Sequence, residues 1–165
     1  MRLAFKYSEE DCQPGYVIVA RGDHIGDLSP EKQRAERAIR AADPRGRMRA
    51  CSVYFFERRD IAEALLDETS DKHLFEAAIE DNDVLHRADL RIYDEIVEAL
   101  EQSHPIDRLL EEFWSGVERS SPRIELAVAR ARVTRKLFDK TRVSSVRRTA
   151  HPAGGASLLS SRLRE

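Results

Sequence analysis

Apolar residues in this chain fall in short runs separated by charge, and their period changes along its length. Pro14-Gly15 marks a turn, and residues 16–20 (Tyr-Val-Ile-Val-Ala) then read as a buried strand. A loop follows over residues 22–27. Ser29-Pro30-Glu31 begins a helix well: the serine can cap, proline suits the first helical position, and the acid favours the positive end. Ala35, Ala38, Ile39 and Ala42 give that helix a thin apolar face, ended by Asp43-Pro44-Arg45-Gly46. Residues 51–56 (Cys-Ser-Val-Tyr-Phe-Phe) are β-branched and aromatic, the composition of a central strand.

Asp60 reads as the cap of a short helix through Leu66. His73–Ile79, bracketed by Ser70-Asp71 and Asp81-Asn82-Asp83, reads as a strand. Residues 90–100 form an amphipathic helix with Asp89 as its N-cap. Pro105 opens another, with Ile106, Leu109, Leu110, Phe113 and Trp114 on one face and Gly116 as its stop. After Pro122, Ile124–Val128 and Arg132-Val133-Thr134 close the pattern as strands.

Strands and helices are mixed without the regular alternation of a doubly wound sheet. The expected fold is therefore α+β, a mixed or split β-sheet with inserted helices. The length of 165 residues suits one domain able to bury a core, placed at residues 1–140. From about Thr141, Ser, Arg, Thr, Gly and Ala dominate. Residues 141–165 are expected to be a disordered basic tail, because they bury too little apolar surface to offset the entropy of ordering.

Apolar residues make up 41% of the chain and charged residues 35%, with no run of the roughly 18 apolar residues that a membrane span requires. The amino-terminal residues meet Glu9, Glu10 and Asp11 before any apolar signal core forms. The expectation is a soluble cytoplasmic protein without a membrane partner. Cys12 and Cys51 lack metal or redox spacing and read as a loop thiol and a buried strand thiol. His73, His86 and Asp89 lack a recognised ligand spacing, so no metal is expected.

Net charge is only −2, yet ten Arg and Lys residues follow Glu125 against Asp139 and Glu165 alone. Such a tail can meet an acidic partner or nucleic acid, or can simply be solvated. Gly-rich phosphate loops and nucleophile elbows are absent from the sequence.

The remaining candidates for chemistry are Arg21, at the end of the first predicted strand, His24 in the loop beyond it, Ser52 and Tyr54 on the second strand, and Glu125 on a late one. Each has a plain structural role open to it: Arg21 as a surface charge, His24 as an exposed loop residue, Tyr54 as core, Glu125 as the outward residue of an edge strand. Their order, with residues 53–56 followed by Asp60-Ile61-Ala62-Glu63-Ala64, then the 73–79 strand, His86-Arg87-Ala88-Asp89-Leu90, Phe113-Trp114-Ser115-Gly116 and the Glu125 strand, resembles small members of the ADP-ribosyltransferase-like superfamily. The likeness spans residues 16–137. Cys51-Ser52-Val53 stands where a strict form of the family has Ser-Thr-Ser.

The resemblance implies NAD as a substrate, bound by Arg21, Ser52, Tyr54 and His24, with Glu125 as the catalytic carboxylate. It implies transfer of ADP-ribose to an unknown acceptor (protein, nucleic acid or small molecule) or hydrolysis of NAD. Breaking the nicotinamide–ribose bond develops oxocarbenium character, which a carboxylate near C1 stabilises. A guanidinium suits phosphate, and an aromatic ring can stack on nicotinamide. The alternative is a non-enzymatic binding or regulatory α+β module that contacts nucleic acid through its basic tail.

Overall fold

The computed structural model describes residues 1–20, 22–44, 49–67 and 73–138. Seven strands form one sheet: β1 (Arg2–Ser8), β2 (Val17–Val19), β3 (Val53–Phe56), β4 (His73–Ile79), β5 (Val84–Asp89), β6 (Ile124–Val128) and β7 (Arg130–Phe138). Their order is β2-β7-β4-β1-β3-β6-β5. Every neighbouring pair is antiparallel, so the sheet is not mixed as the sequence suggested. Four helices accompany it: α1 (Pro30–Ala41), α2 (Arg59–Asp67), α3 (Leu90–Glu101) and α4 (Asp107–Ser115).

Local chemistry explains most helix ends. The Ser29 hydroxyl accepts from the Lys32 amide, with proline in the first turn of α1. Asp89 caps α3 and is almost fully buried, accepting from the amides of Arg91 (3.0 Å), Arg119 (2.9 Å) and Arg123 (2.9 Å). It thereby ties the start of α3 to the segment that leads into β6. Gly116, at φ +74°, ends α4 in the left-handed region. Asp60 is not the cap expected of it: α2 begins one residue earlier, and Asp60 takes a hydrogen bond from Arg58.

Two strands escaped the sequence reading. β1 is central in the sheet, pairing with β4 along its whole length. β5 is an edge strand whose register shifts between Val84 and His86. The β6 strand, taken for an edge, lies inside the sheet between β3 and β5.

The sheet is strongly curled, as its connectivity requires. β6 ends at Val128 and β7 begins at Arg130, yet three strands separate them in the sheet order. Laid flat, four strand spacings of about 4.8 Å would have to be crossed by a link only about 7 Å long. Curling brings the ends together around an apolar interior built from Ala4, Val53, Phe55, Ala77, Ile79, Leu126, Val128 and Ala131, with Ile18 and Val84 packed against it from the edge strands. The outer face carries the helices. α1, α3 and α4 cover Ala88 through Ile39, Ile92, Ile96 and Phe113. α2 packs Ala62 against Phe56 and Leu74, with Phe5 beside them.

None of the described helices is long and apolar enough to cross a membrane. The expected tail, residues 141–165, lies outside the described residues. Cys12 lies in a loop as expected but is buried with Phe75 and Val133, and Cys51, expected in a buried strand, is exposed. Residues 49–51 form a short 3-10 turn before β3 begins, which carries Cys51 out of the strand.

Candidate functional site

The sheet has one weak seam. β1 and β3 share a single registered pair, Phe5 with Phe56, although each is fully paired on its other side. Beyond that pair the two strands part, and a cleft of about 430 Å³ opens where the ladder would have continued. Lys6, Tyr7 and Ser8 line it from β1; Ser52, Val53 and Tyr54 line it from β3 and the residue before it. Cys12, Tyr16, Ile18 and His24 close the far wall, with Glu9 and Glu10 also lining it. The size suits a small-molecule site.

Strand alternation sorts the side chains around the seam. Phe5, Phe56 and Glu125 share a face because they lie in register across β1, β3 and β6. Phe5 and Phe56 pack toward α2, so this is the helix-covered face. Lys6, one residue on from Phe5, belongs to the opposite, inner face. Its ammonium lies 5.8 Å from the centre of the Phe55 ring, a residue of the inner core. It also donates to the Tyr54 carbonyl across the gap at 3.4 Å.

Three of the sequence candidates thus meet at one cleft: Ser52, Tyr54 and His24. Ser52 is almost fully buried. His24 starts the 3-10 turn His24–Asp27, which Asp23 caps by accepting from the Ile25 amide at 3.0 Å. The Tyr54 hydroxyl donates to the Arg49 carbonyl, and the Arg49 guanidinium stands 4.8 Å over its ring. Burial pushes the Tyr54 phenol upward, so it stays protonated and remains a donor. Arg21 lies outside the described residues.

Glu125 sits elsewhere. Its carboxylate is on the helix-covered face, not among the groups lining the cleft, and it accepts from Arg49 Nη2 at 3.0 Å. Arg49 is buried and its Nε also donates to both oxygens of Glu36, at 3.0 and 3.2 Å. Glu36 in turn accepts from Arg40 Nε at 2.9 Å, and Arg40 grips Asp23 through two hydrogen bonds of 2.8 and 3.0 Å. A line of alternating charge therefore runs Asp23, Arg40, Glu36, Arg49, Glu125, from the loop beside the cleft to the middle of the outer face.

The environment sets these charges. Burial raises the Glu125 carboxyl above its ordinary range, and Arg49 pulls against that rise. Burial also works to strip the proton from Arg49, but Glu125 and Glu36 outweigh it and hold the guanidinium charged. Asp23 is lowered, chiefly by its hydrogen bond from Arg40. Arg49 further rests 5.2 Å from the centre of the Phe113 ring, so α4 closes the pocket around it.

Sequence reasoning missed Lys6, Glu36 and Arg49. The alternation of Leu3, Phe5 and Tyr7 with Ala4 and Lys6 was the signal for β1 and hence for Lys6. Glu36 and Arg40 carried the (i, i+4) spacing of a helical ion pair. Arg49 had no local signal. Its partners are 13 and 76 residues away, and the fold alone brings them together.

Groups of three or more His, Cys, Asp or Glu able to hold a metal ion are absent among the described residues. Comparison of the chain with models of protein families, with curated proteins and with solved structures gave no match.

Proposed function

We propose that the chain binds NAD, or a nucleotide built like it, in the cleft between β1 and β3. The observation that carries this reading is the convergence of Ser52, Tyr54 and His24, drawn from distant parts of the chain, on one opening in the sheet. The cleft offers groups of the right kind: a hydroxyl, an imidazole, an aromatic side chain and, from β1, an ammonium. Its apolar floor of Val53 and Ile18 suits the flat faces of a base or nicotinamide.

Turnover of NAD is a second reading, favoured by the place of Glu125 on β6, the strand next to β3. In the transferase chemistry its carboxylate would stabilise positive charge developing on the ribose as nicotinamide leaves. Arg49 occupies that carboxylate and holds it away from the cleft lining, so the geometry supports binding better than catalysis. Turnover requires the Arg49–Glu125 pair to open or the ligand to reach around Tyr54.

Nicotinamide release separates the two. Wild type and Glu125→Gln are incubated with NAD alongside a binding titration. Equal binding with no release by either protein is the result expected of a binding module. Release that disappears in Glu125→Gln, with binding retained, assigns the carboxylate to catalysis. No binding of NAD, ADP or adenosine to the wild type would overturn the nucleotide reading.

A further inference from the structure

We infer that the uncovered part of the outer face, where β2, β7, β4 and β1 run side by side, docks a second copy of this chain about a two-fold axis. The register sets Leu3, Ala78, Arg132 and Val17 in one row across these four strands. Leu3 lies two residues before Phe5 on the same outer face but beyond the cover of α2, and it is 49% exposed. On β2, Ile18 packs into the inner core, while Val17 and Val19 point outward, 39% and 48% exposed. Glu80 follows the end of β4 in extended conformation. Two residues on from Ala78, it continues the same face beside Arg132.

The face complements itself. Arg132 and Glu80 line one hollow of about 310 Å³ together with Val17 and Ala78. Among the described residues neither has an opposite charge within ion-pair reach. The Arg132 guanidinium contacts the Gly15 carbonyl at 3.5 Å, and the Glu80 carboxylate accepts no hydrogen bond from the turn it precedes. Neighbouring charges are already matched, Arg130 to Asp83 and Arg2 to Asp81. A two-fold axis between β4 and β7, running along the strands, exchanges those two strands and exchanges β1 with β2. Arg132 of each copy then lies over Ala78 of the other, where its long side chain reaches Glu80, and Val17 of each meets Leu3 of the other. Apolar contacts thus flank two reciprocal ion pairs. So small a contact on a curved face makes a weak dimer, governed by concentration.

The test is sedimentation velocity of the full chain over a concentration series, as wild type, Arg132→Glu, Glu80→Arg and the double variant that exchanges the two charges. Both positions are exposed, and thermal unfolding of each variant verifies that the fold persists. The expected result is a monomer–dimer equilibrium in the wild type. Either single reversal sets like charges against each other and raises the dissociation constant about tenfold or more, and the double variant recovers association. A wild type that is monomeric at every concentration would overturn the inference. A dimer that both single variants keep would put the interface elsewhere on the molecule and overturn it equally. Single variants that weaken the dimer without recovery in the exchange would overturn the pairing of Arg132 with Glu80.

Discussion

Arg49 is the residue on which the outer face turns. One guanidinium satisfies Glu36 and Glu125 while its carbonyl takes the Tyr54 hydroxyl, all in a space closed by Phe113. Removing one partner of a buried pair leaves the other charge without compensation, which costs far more than the pair contributes. Arg49→Met is therefore expected to destabilise the protein by about 3–5 kcal/mol in denaturant unfolding, since Glu125 loses the cation it is hydrogen-bonded to and Glu36 is left with Arg40. Glu125→Gln should cost much less, because Arg49 keeps Glu36. The same substitution has a pH signature. A carboxyl raised in the folded state binds its proton more tightly folded than unfolded, so its contribution to stability falls as pH rises from 4.5, its ordinary value, through the folded value. Glu125→Gln removes that fall, and a stability–pH profile identical to wild type would contradict the assignment. Asp89 behaves oppositely. Three backbone amides outweigh burial and lower its pKa, so its stabilisation is lost as pH falls below 3.8 toward the folded value.

Among the elements, the parting of β1 from β3 decides where a ligand can enter. A continuous ladder would have closed the sheet there; instead the two strands diverge after one pair, and Lys6 spans the gap. The helices on the outer face are fixed by caps whose energies are separable. Gly116 holds φ +74° at the end of α4, and an added Cβ would meet only the Arg87 carbonyl oxygen, at 3.8 Å. Gly116→Ala is thus expected to lose about 1 kcal/mol from backbone conformation alone, with Gly116→Asn losing less. Equal stability of all three proteins in chemical denaturation would remove backbone strain as the reason for glycine.

The legibility of these elements in the sequence follows from how local their causes are. The α3 start at Asp89 and the α4 stop at Gly116 were readable, because each depends on one residue and its near neighbours. β5 was hidden: a register shift after Val84 breaks its alternation, and His86-Arg87 looks like a loop. The cleft residues Ser52 and Tyr54 were recognisable by type, but the seam that gathers them with Lys6 and His24 is a property of pairing between distant strands. The burial of Glu125 was not readable at all, since its partner Arg49 comes from a polar stretch 76 residues earlier.

At the scale of the whole molecule, the curled sheet assigns its two faces to different work. The inner face holds an apolar core that ends in the cleft, and the outer face holds the helices and the line of alternating charge, buried at Glu36 and Arg49 and open to solvent at Asp23. Ten Arg and Lys residues follow Glu125 against two acids, a charge balance that can meet an acidic partner or nucleic acid or can simply be solvated, and truncation separates the two. Truncation after Lys140 is expected to leave thermal stability and nucleotide binding unchanged, and to abolish any salt-sensitive binding to DNA or RNA. Loss of nucleotide binding on truncation would show that the tail belongs to the cleft.

The most direct test of the cleft is a titration of the isotopically labelled chain with NAD, followed by amide chemical shifts. Binding between β1 and β3 predicts shifts concentrated at Lys6, Tyr7, Ser8, Ser52, Tyr54 and His24, with α2 and the far end of β4 left unchanged. Saturating NAD that moves none of these amides, or moves only residues remote from the seam, would contradict it.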